Sequence, residues 1–396
     1  MTTEPLTFPL TSGGTFSPPK ELMAMRGERP IARVRYPDGK LGWMVTRRAT
    51  IREVLANPVF SARQELRSTP FSGAGPTPPA PPGMFIGMDP PDHTHYRRLL
   101  TGQFTVRRMR LLTERVEEIA EEHLDRMAAA GPPVDLVRAY ASPIPAMVIC
   151  ELLGVPQDYR TRFEREAAEM SRRDATPEER QHAMVGIFSY LGELVGRKRV
   201  EPTDDLLSGL VTDDAGLTDE ELTNLAFMLL GAGLDTTANS LGLGTFALLC
   251  HPEQIPVITN PETVDNAVEE LLRFLPVVPG TVRTALADVE VEGVQVRAGE
   301  SVMVSLPTAN RDPERFTDPD ALDLARPAAG HVAFGHGVHQ CLGQQLARVE
   351  LRVAFPALFR RFPSLRLAVP PAEVPLRDDM IMYGVHELPV AWDTES

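Results

Sequence analysis

Cysteine is scarce in this chain: three residues in 396, at Cys150, Cys250 and Cys341. Their odd number and wide spacing exclude a disulfide framework and fit a reducing compartment. Cation excess is also missing. The formal net charge is −14, which argues against nucleic acid as the main partner, because phosphate binding needs clustered positive charge. No apolar run reaches membrane-spanning length, since "LAFMLLGAGL" is cut by "DTTANS". The opening "MTTEPLTFPL" lacks a basic stretch followed by an apolar one, so no signal peptide is expected. A soluble, cytoplasmic protein is expected. No internal repeat and no linker between folding units is visible, so residues 1–396 read as one domain.

What is present is ordinary for a globular protein: 43% apolar and 24% charged residues, with 6% aromatics and 37 prolines that imply stiff turns. β-like segments lie at 31–46, around a "PDGK" turn signal, and at 287–305. Helical periodicity covers 107–130, 144–154, 158–171, 177–199, 218–250, 262–274 and 342–360. The strongest helix opens at Thr218, which forms a capping-box pattern with Glu221. Counted to Leu249 it has 32 positions, roughly 48 Å at about 1.5 Å per residue. The fold class is mainly α with a minor β portion. Residues 1–17 read as an irregular N-terminal segment. The Pro/Gly/Ser-rich stretch 66–83 reads as a lid or binding loop, with mobility expected over 66–87. Basic runs "RRMR" at 107–110 and "RKR" at 197–199 are either solvated helix faces or a docking face for an acidic protein.

Four segments carry chemistry. In "FGHGVHQCLG", 334–343, Cys341 sits where a glycine-rich loop meets a helix expected from Leu342. Helix-terminal N–H groups and the dipole there favour a thiolate. Gly335, Gly337 and Gly343 let the backbone approach something flat and bulky, because no Cβ intervenes. Such a thiolate suits a soft metal, whereas Cys150 and Cys250 read as buried small hydrophobes. Zinc held by His331, His336, His339 and Cys341 is conceivable, but a lone cysteine without a CxxC partner argues against a closed structural site. In "AGLDTT", 232–237, Gly231, Gly233 and the Asp235–Thr236 pair are poor helix-interior choices, and a threonine hydroxyl can bond a preceding carbonyl and distort the helix. In "EELLR", Glu270 and Arg273 share a helix face, which on a solvated helix would mean nothing functional. In "MDPPDHTHYRRLL", 88–100, His93 and Arg97 share a face after a Pro-Pro start, either as a basic surface or as partners of an anion.

Together these segments resemble the cytochrome P450 family. "FGHGVHQCLG" is similar to its haem-binding signature F-x-x-G-x-x-x-C-x-G, and the other three motifs follow the family order over nearly the whole chain, from about residue 18 to Trp392. The resemblance is closest to soluble bacterial members of the actinobacterial kind. It implies a triangular helical body with the long central helix over haem b (iron protoporphyrin IX). Cys341 would be the thiolate ligand of the iron, its electron donation favouring O–O cleavage. Phe334 would pack near the porphyrin, with Gly335 and Gly343 permitting close approach. His93, Arg97, Arg283 and His339 would serve the two propionates. Asp235 and Thr236 would organise water and deliver protons during dioxygen activation. Glu270 and Arg273 would form a structural network, joined by Arg315 from "NRDPERF".

By the same resemblance the substrate pocket is lined by Met84, Phe85, Ile86, Met228, Ala232, Val277, Val278, Pro279, Ile381 and Met382. This apolar set without a charged member favours a hydrophobic substrate oriented by shape. The implied activity is a haem-thiolate monooxygenase that hydroxylates or epoxidises a secondary metabolite, steroid, terpene or xenobiotic. No dinucleotide fingerprint or iron–sulfur cysteine pattern is visible, so two electrons would come from a separate ferredoxin or flavodoxin system. Arg98, Arg107, Arg108, Arg348 and Arg352 would supply its cationic docking face, and a monomer is expected. Alternatives are a peroxide-using peroxygenase, which the Asp235–Thr236 pair disfavours, and a non-catalytic haem binder or sensor.

Overall fold

The computed structural model describes residues 4–8, 10, 13–68, 77–103, 106–156, 159, 166, 176–213 and 216–394. Among them the first helices are α1 Lys20–Glu28, α2 Arg48–Ala56, α3 Asp92–Thr101, α4 Val106–Ala130, α5 Pro143–Leu153 and α6 Pro177–Val200. These are followed by α7 Leu206–Thr212, α8 Asp219–Cys250, α9 Ile255–Thr259, α10 Val264–Phe274, α11 Leu306–Ala309 and α12 Gln344–Arg361. The strands before the long helix are β1 Leu6–Thr7, β2 Ile31–Arg35, β3 Leu41–Val45, β4 Phe60–Ser61 and β5 Val134–Asp135. Those after it are β6 Gly280–Ala285, β7 Val289–Val291, β8 Val294–Val296, β9 Ser301–Ser305, β10 Arg366–Leu367 and β11 Pro389–Ala391. The balance is mainly α with a minor β portion, as expected. The helix expected over 158–171 lies outside the described residues except for Tyr159 and Glu166.

Helix α8 begins as its sequence dictates. Thr218 Oγ1 accepts from the Glu221 backbone N–H at 3.2 Å, and Glu221 Oε2 accepts from the Thr218 backbone N–H at 2.8 Å. Apolar residues then surround the helix on nearly every side, which is the signature of a buried rod. It packs against α5, α6 and α12. At the α12 crossing Gly244 is obligatory, because an added Cβ would stand 2.5 Å from Cζ of the fully buried Phe355.

The larger sheet runs β1-β2-β3-β9-β6-β4. The "PDGK" signal makes the β2–β3 turn, where the Tyr36 N–H donates to the Lys40 carbonyl at 2.9 Å and Gly39 takes a φ of +82°. The β7–β8 hairpin turns through Glu292 and Gly293, both at positive φ, the pairing that matches strand twist. The N-terminal segment is not irregular throughout: Leu6–Thr7 pairs in parallel with Val34–Arg35. A strand this short leaves no readable alternation in the sequence. The 66–87 loop is likewise anchored at its end, where the Asn224 side-chain amide donates to the Pro82 carbonyl at 2.8 Å. Gly83 lies so close to α8 that a Cβ would meet the Glu221 carbonyl oxygen at 2.6 Å. Its 69–76 portion lies outside the described residues.

Glu270 and Arg273 are fully buried and paired through two bonds of 2.6 and 2.8 Å. Their third partner is Arg326, whose Nε donates to Glu270 Oε1 at 3.1 Å, and not Arg315. The reason is local. Asn266 on α10 donates to the Leu324 and Arg326 carbonyls at 2.9 and 2.8 Å, drawing that segment onto the helix. Arg315 instead sits at the surface and bonds the Ala329 carbonyl. The basic runs are also mostly partnered. Lys198 is buried against Asp205 at 2.6 Å, Arg197 donates to the Tyr159 hydroxyl at 2.8 Å, and Arg199 pairs with Asp219.

Candidate active site

The loop before α12 is shaped by its glycines. Gly335 and Gly337 hold φ of +71° and +76°, a region that side chains disfavour. A Cβ on Gly337 would also collide with the Leu55 carbonyl oxygen at 2.3 Å. The Asn310 side chain receives the Val332 N–H at 2.7 Å, and the Cys341 N–H donates back to the Phe334 carbonyl at 2.9 Å. Cys341 is thereby presented just ahead of the helix, whose first residue is Gln344 and not Leu342, because Leu342 and Gly343 complete the turn.

Cys341 has accessible surface, yet enough protein surrounds it that burial pushes its thiol up. The Gly343 N–H and the Arg97 and Arg348 guanidinium groups work the other way without prevailing. Burial thus opposes the thiolate that the helix terminus favours. Phe334 lies under Arg348, whose guanidinium carbon is 4.6 Å from the ring centroid, and Glu269 pins that arginine through bonds of 2.5 and 3.0 Å. Glu269 is pulled down to about 2 by His331 and Arg348 against the opposing effect of burial.

Four cationic or donor groups from three segments meet beside this loop: His93 and Arg97 on α3, Arg283 on β6, and His339. The His93 and His339 rings are 4.0 Å apart. Both ring nitrogens of His93 are buried without a hydrogen-bond partner. Burial, then the neighbouring arginines, push His93 down to about 4 and His339 down to about 3. Arg283 falls to about 10 from burial and from Arg67. Crowded donors of this kind, opposed at His93 and Arg283 by Asp89, constitute a cradle for a larger anion. The zinc alternative finds no support: among the described residues no group of three His, Cys, Asp or Glu side chains could hold a metal ion. His331 is taken by Glu269 at 3.1 Å.

On α8 the Thr236 hydroxyl donates to the Ala232 carbonyl at 2.8 Å, and the helix stays continuous through Gly231 and Gly233. Asp235 is gripped by Arg377 through bonds of 2.8 and 3.2 Å. Both Asp235 and Thr236 line a cavity of about 830 Å³. Of the ten pocket positions expected, Ala232, Pro279, Ile381 and Met382 lie on its wall. Phe85, Met228 and Val277 are buried in the core, Met84 and Val278 pack against that core, and Ile86 is exposed. The wall is not free of charge, since Arg180, Arg377, Asp378 and Asp379 join it. Sequence reasoning missed Arg377, Arg326 and the N-terminal contributors Phe8, Leu10 and Phe16. None of them carries a local signal, because each acts on a partner far away in the chain.

The arginines expected to form a docking face are largely neutralised. Arg107 and Arg108 share Asp204, Arg348 pairs with Glu269, and Arg352 pairs with Asp265; Arg98 is exposed. No helix among the described residues is long and apolar enough to cross a membrane.

A cysteine loop beside an anion cradle, in a chain whose long helix carries an Asp–Thr pair on a cavity wall, fits a haem protein that activates oxygen. The cytochrome P450 family model matches residues 255–382. The chain is 49% identical to cytochrome P450 105C1 of a Streptomyces species, over 98% of this chain and 99% of that one. It is 46% identical to nocardicin C N-oxygenase of Nocardia uniformis subsp. tsuyamanensis, over 93% and 94% of the two chains. Its fold superposes on the crystal structure of cytochrome P450 MoxA from Nonomuraea recticatena with a TM-score of 0.94, at 42% identity and 99% coverage of both. The chain belongs to the cytochrome P450 family and is a bacterial P450 monooxygenase with haem as its cofactor.

Proposed function

We propose that this P450 inserts one oxygen atom into a hydrophobic secondary metabolite, as a hydroxylation or epoxidation, in the cytoplasm. Two electrons come from a separate ferredoxin- or flavodoxin-type donor. The observation that carries the haem assignment is His93. Its two orphaned, buried nitrogens stand among His339, Arg97 and Arg283, the donor set a group with two carboxylates requires. Haem b fits these residues: Cys341 would ligate the iron, the four donors would hold the propionates, and Gly335, Gly337 and Gly343 would allow close approach. When bound, that group supplies the storage of electrons and the activation of dioxygen.

The chain's own contributions follow from its geometry. The apolar part of the cavity, including Ala232, Pro279, Ile381 and Met382, takes a substrate by shape, and about 830 Å³ is ample for a polycyclic or macrocyclic molecule. Met382 and its neighbour Met380 adapt to irregular outlines. Arg180, Asp378 and Asp379 add polar contacts on the same wall. Thr236 Oγ1 and the Asp235 carboxylate hold and pass protons at the cavity surface. Activity of the relative on nocardicin C supports a natural-product substrate.

The haem assignment is tested by Cys341→Ser. The wild-type protein, reduced under carbon monoxide, is expected to show the red-shifted absorption of a thiolate-ligated haem, and the variant to lose it. Survival of that band would remove Cys341 as the ligand. A spectral titration with macrolides, steroids, terpenes and fatty acids ranks the substrate classes; binding confined to small polar molecules would overturn the hydrophobic reading.

A further inference from the structure

We propose that Arg377 is a positioning residue for Asp235, and that through Arg377 the carboxylate is coupled to ligand lying against the turn 378–382. The inference rests on the proton-handling role given to Asp235 above.

Arg377 is 7% exposed and meets both carboxylate oxygens of Asp235, Nη1 to Oδ1 at 2.8 Å and Nη2 to Oδ2 at 3.2 Å. A planar fork gripping two oxygens fixes orientation as well as charge, which an ammonium group cannot do. Asn239 closes a triangle. It donates to the Asp235 carbonyl and to Oδ1 at 2.7 and 3.1 Å, and its own oxygen accepts from Arg377 at 3.1 Å. Gly384 is packed against this asparagine so closely that a Cβ would stand 2.0 Å from its side-chain oxygen.

Arg377 does not belong to α8. It sits at the base of a hairpin whose two arms meet at Leu376 and Val385, with the Arg377 N–H donating to the Gly384 carbonyl at 2.9 Å. Tyr383 fixes the same base from two further sides, through its N–H to the Val277 carbonyl at 2.8 Å and its hydroxyl to the Thr15 carbonyl at 2.6 Å. The tip, Asp378 to Met382, forms cavity wall, with Asp379 held to His386 of the returning arm at 2.7 Å and Ile381 54% exposed. A ligand pressing on Ile381 and Met382 therefore acts on a short lever whose other end is the guanidinium that orients Asp235. Removing the fork releases the carboxylate to swing, and misplacing a proton-handling group by about 1 Å costs on the order of a hundredfold in rate.

The test compares haem-loaded wild type with Arg377→Gln, Arg377→Lys, Asp235→Asn and the double variant Arg377→Gln/Asp235→Asn. Electrons from a surrogate ferredoxin and reductase are counted into hydrogen peroxide. In parallel, infrared difference spectra record the carboxylate stretch on adding 4-phenylimidazole. The expected result is a several-fold rise in the peroxide share for Arg377→Gln, a smaller rise for Arg377→Lys, and no further rise when Arg377→Gln is added to Asp235→Asn. A carboxylate band that shifts with the probe in wild type should vanish in Asp235→Asn and lose its probe response in Arg377→Gln. If Asp235→Asn leaves the peroxide share unchanged, the role of Asp235 itself fails. If Asp235→Asn raises it while Arg377→Gln does not, or adds equally on the Asn background, only the role of Arg377 fails. A probe-independent band in wild type overturns the coupling.

Discussion

Glu350 is a carboxyl group in the wrong place for one, and replacing it by glutamine should stabilise the protein in a pH-dependent way. It lies on α12, 3% exposed, with Oε2 buried and without a hydrogen-bond partner. Burial alone pushes it from 4.5 up to about 8. The fold therefore holds the proton more tightly than the unfolded chain does. Stability from this group is greatest below about 4.5, falls by about 1.4 kcal/mol per pH unit between the two values, and levels off above about 8. At pH 7 the interval from 4.5 amounts to about 3 kcal/mol. For 396 residues, at about 2.1 cal/mol/K of unfolding entropy each, that is about 4 °C in Tm. Glu350→Gln removes the titration while keeping the shape. Thermal melts and urea titrations of both haem-loaded proteins from pH 5 to 9 should show the variant drawing ahead as pH rises, then running parallel to wild type above about 8. A gap that stays constant between pH 5.5 and 8 would refute the reasoning, because an uncharged packing difference has no proton linkage.

Arg326→Gln should cost about 3–5 kcal/mol in urea unfolding, since it leaves Glu270 buried with one partner fewer. Arg315→Gln should stay within about 0.5 kcal/mol, as its side chain serves the surface; equal losses would dissolve the distinction. Gly244→Ala drives a methyl to 2.5 Å from Phe355 and should lower stability by about 1–3 kcal/mol, read as a lowered Tm. Thr236→Ala should retain haem, measured by absorbance, while sending a larger share of electrons into peroxide; unchanged coupling would remove Thr236 from proton handling.

Local signals in the sequence carried the parts of the fold that local chemistry determines. The Thr218–Glu221 box opens α8, the "PDGK" signal turns β2 into β3, and the period of 3.6 marks the long helices. Cys341 was legible from its compact motif, and His93, Arg97, Arg283 and His339 as candidates through the family resemblance; the structure gathers them around one loop. What escaped was every pairing decided at a distance. Arg315 and Arg326 both follow Arg273 by similar spans, and the choice between them rests on Asn266 clamping two carbonyl groups. Arg377 reaches Asp235 across 142 positions of sequence. The cavity wall failed for the same reason, since apolar residues near the right motifs divide into core and lining only once the chain has packed.

The wall of that cavity has one more consequence. Phe8, Leu10 and Phe16 come from one extremity of the chain and Met380, Ile381 and Met382 from the other, while Cys341 and α8 lie between. Much of the wall is thus written in stretches remote in sequence from Cys341, while α8 contributes to wall and proton handling alike. Substitutions at Phe8, Leu10 or Phe16 can reshape what the molecule admits without touching Asp235, whereas those in the turn 378–382 also bear on the arginine that holds it.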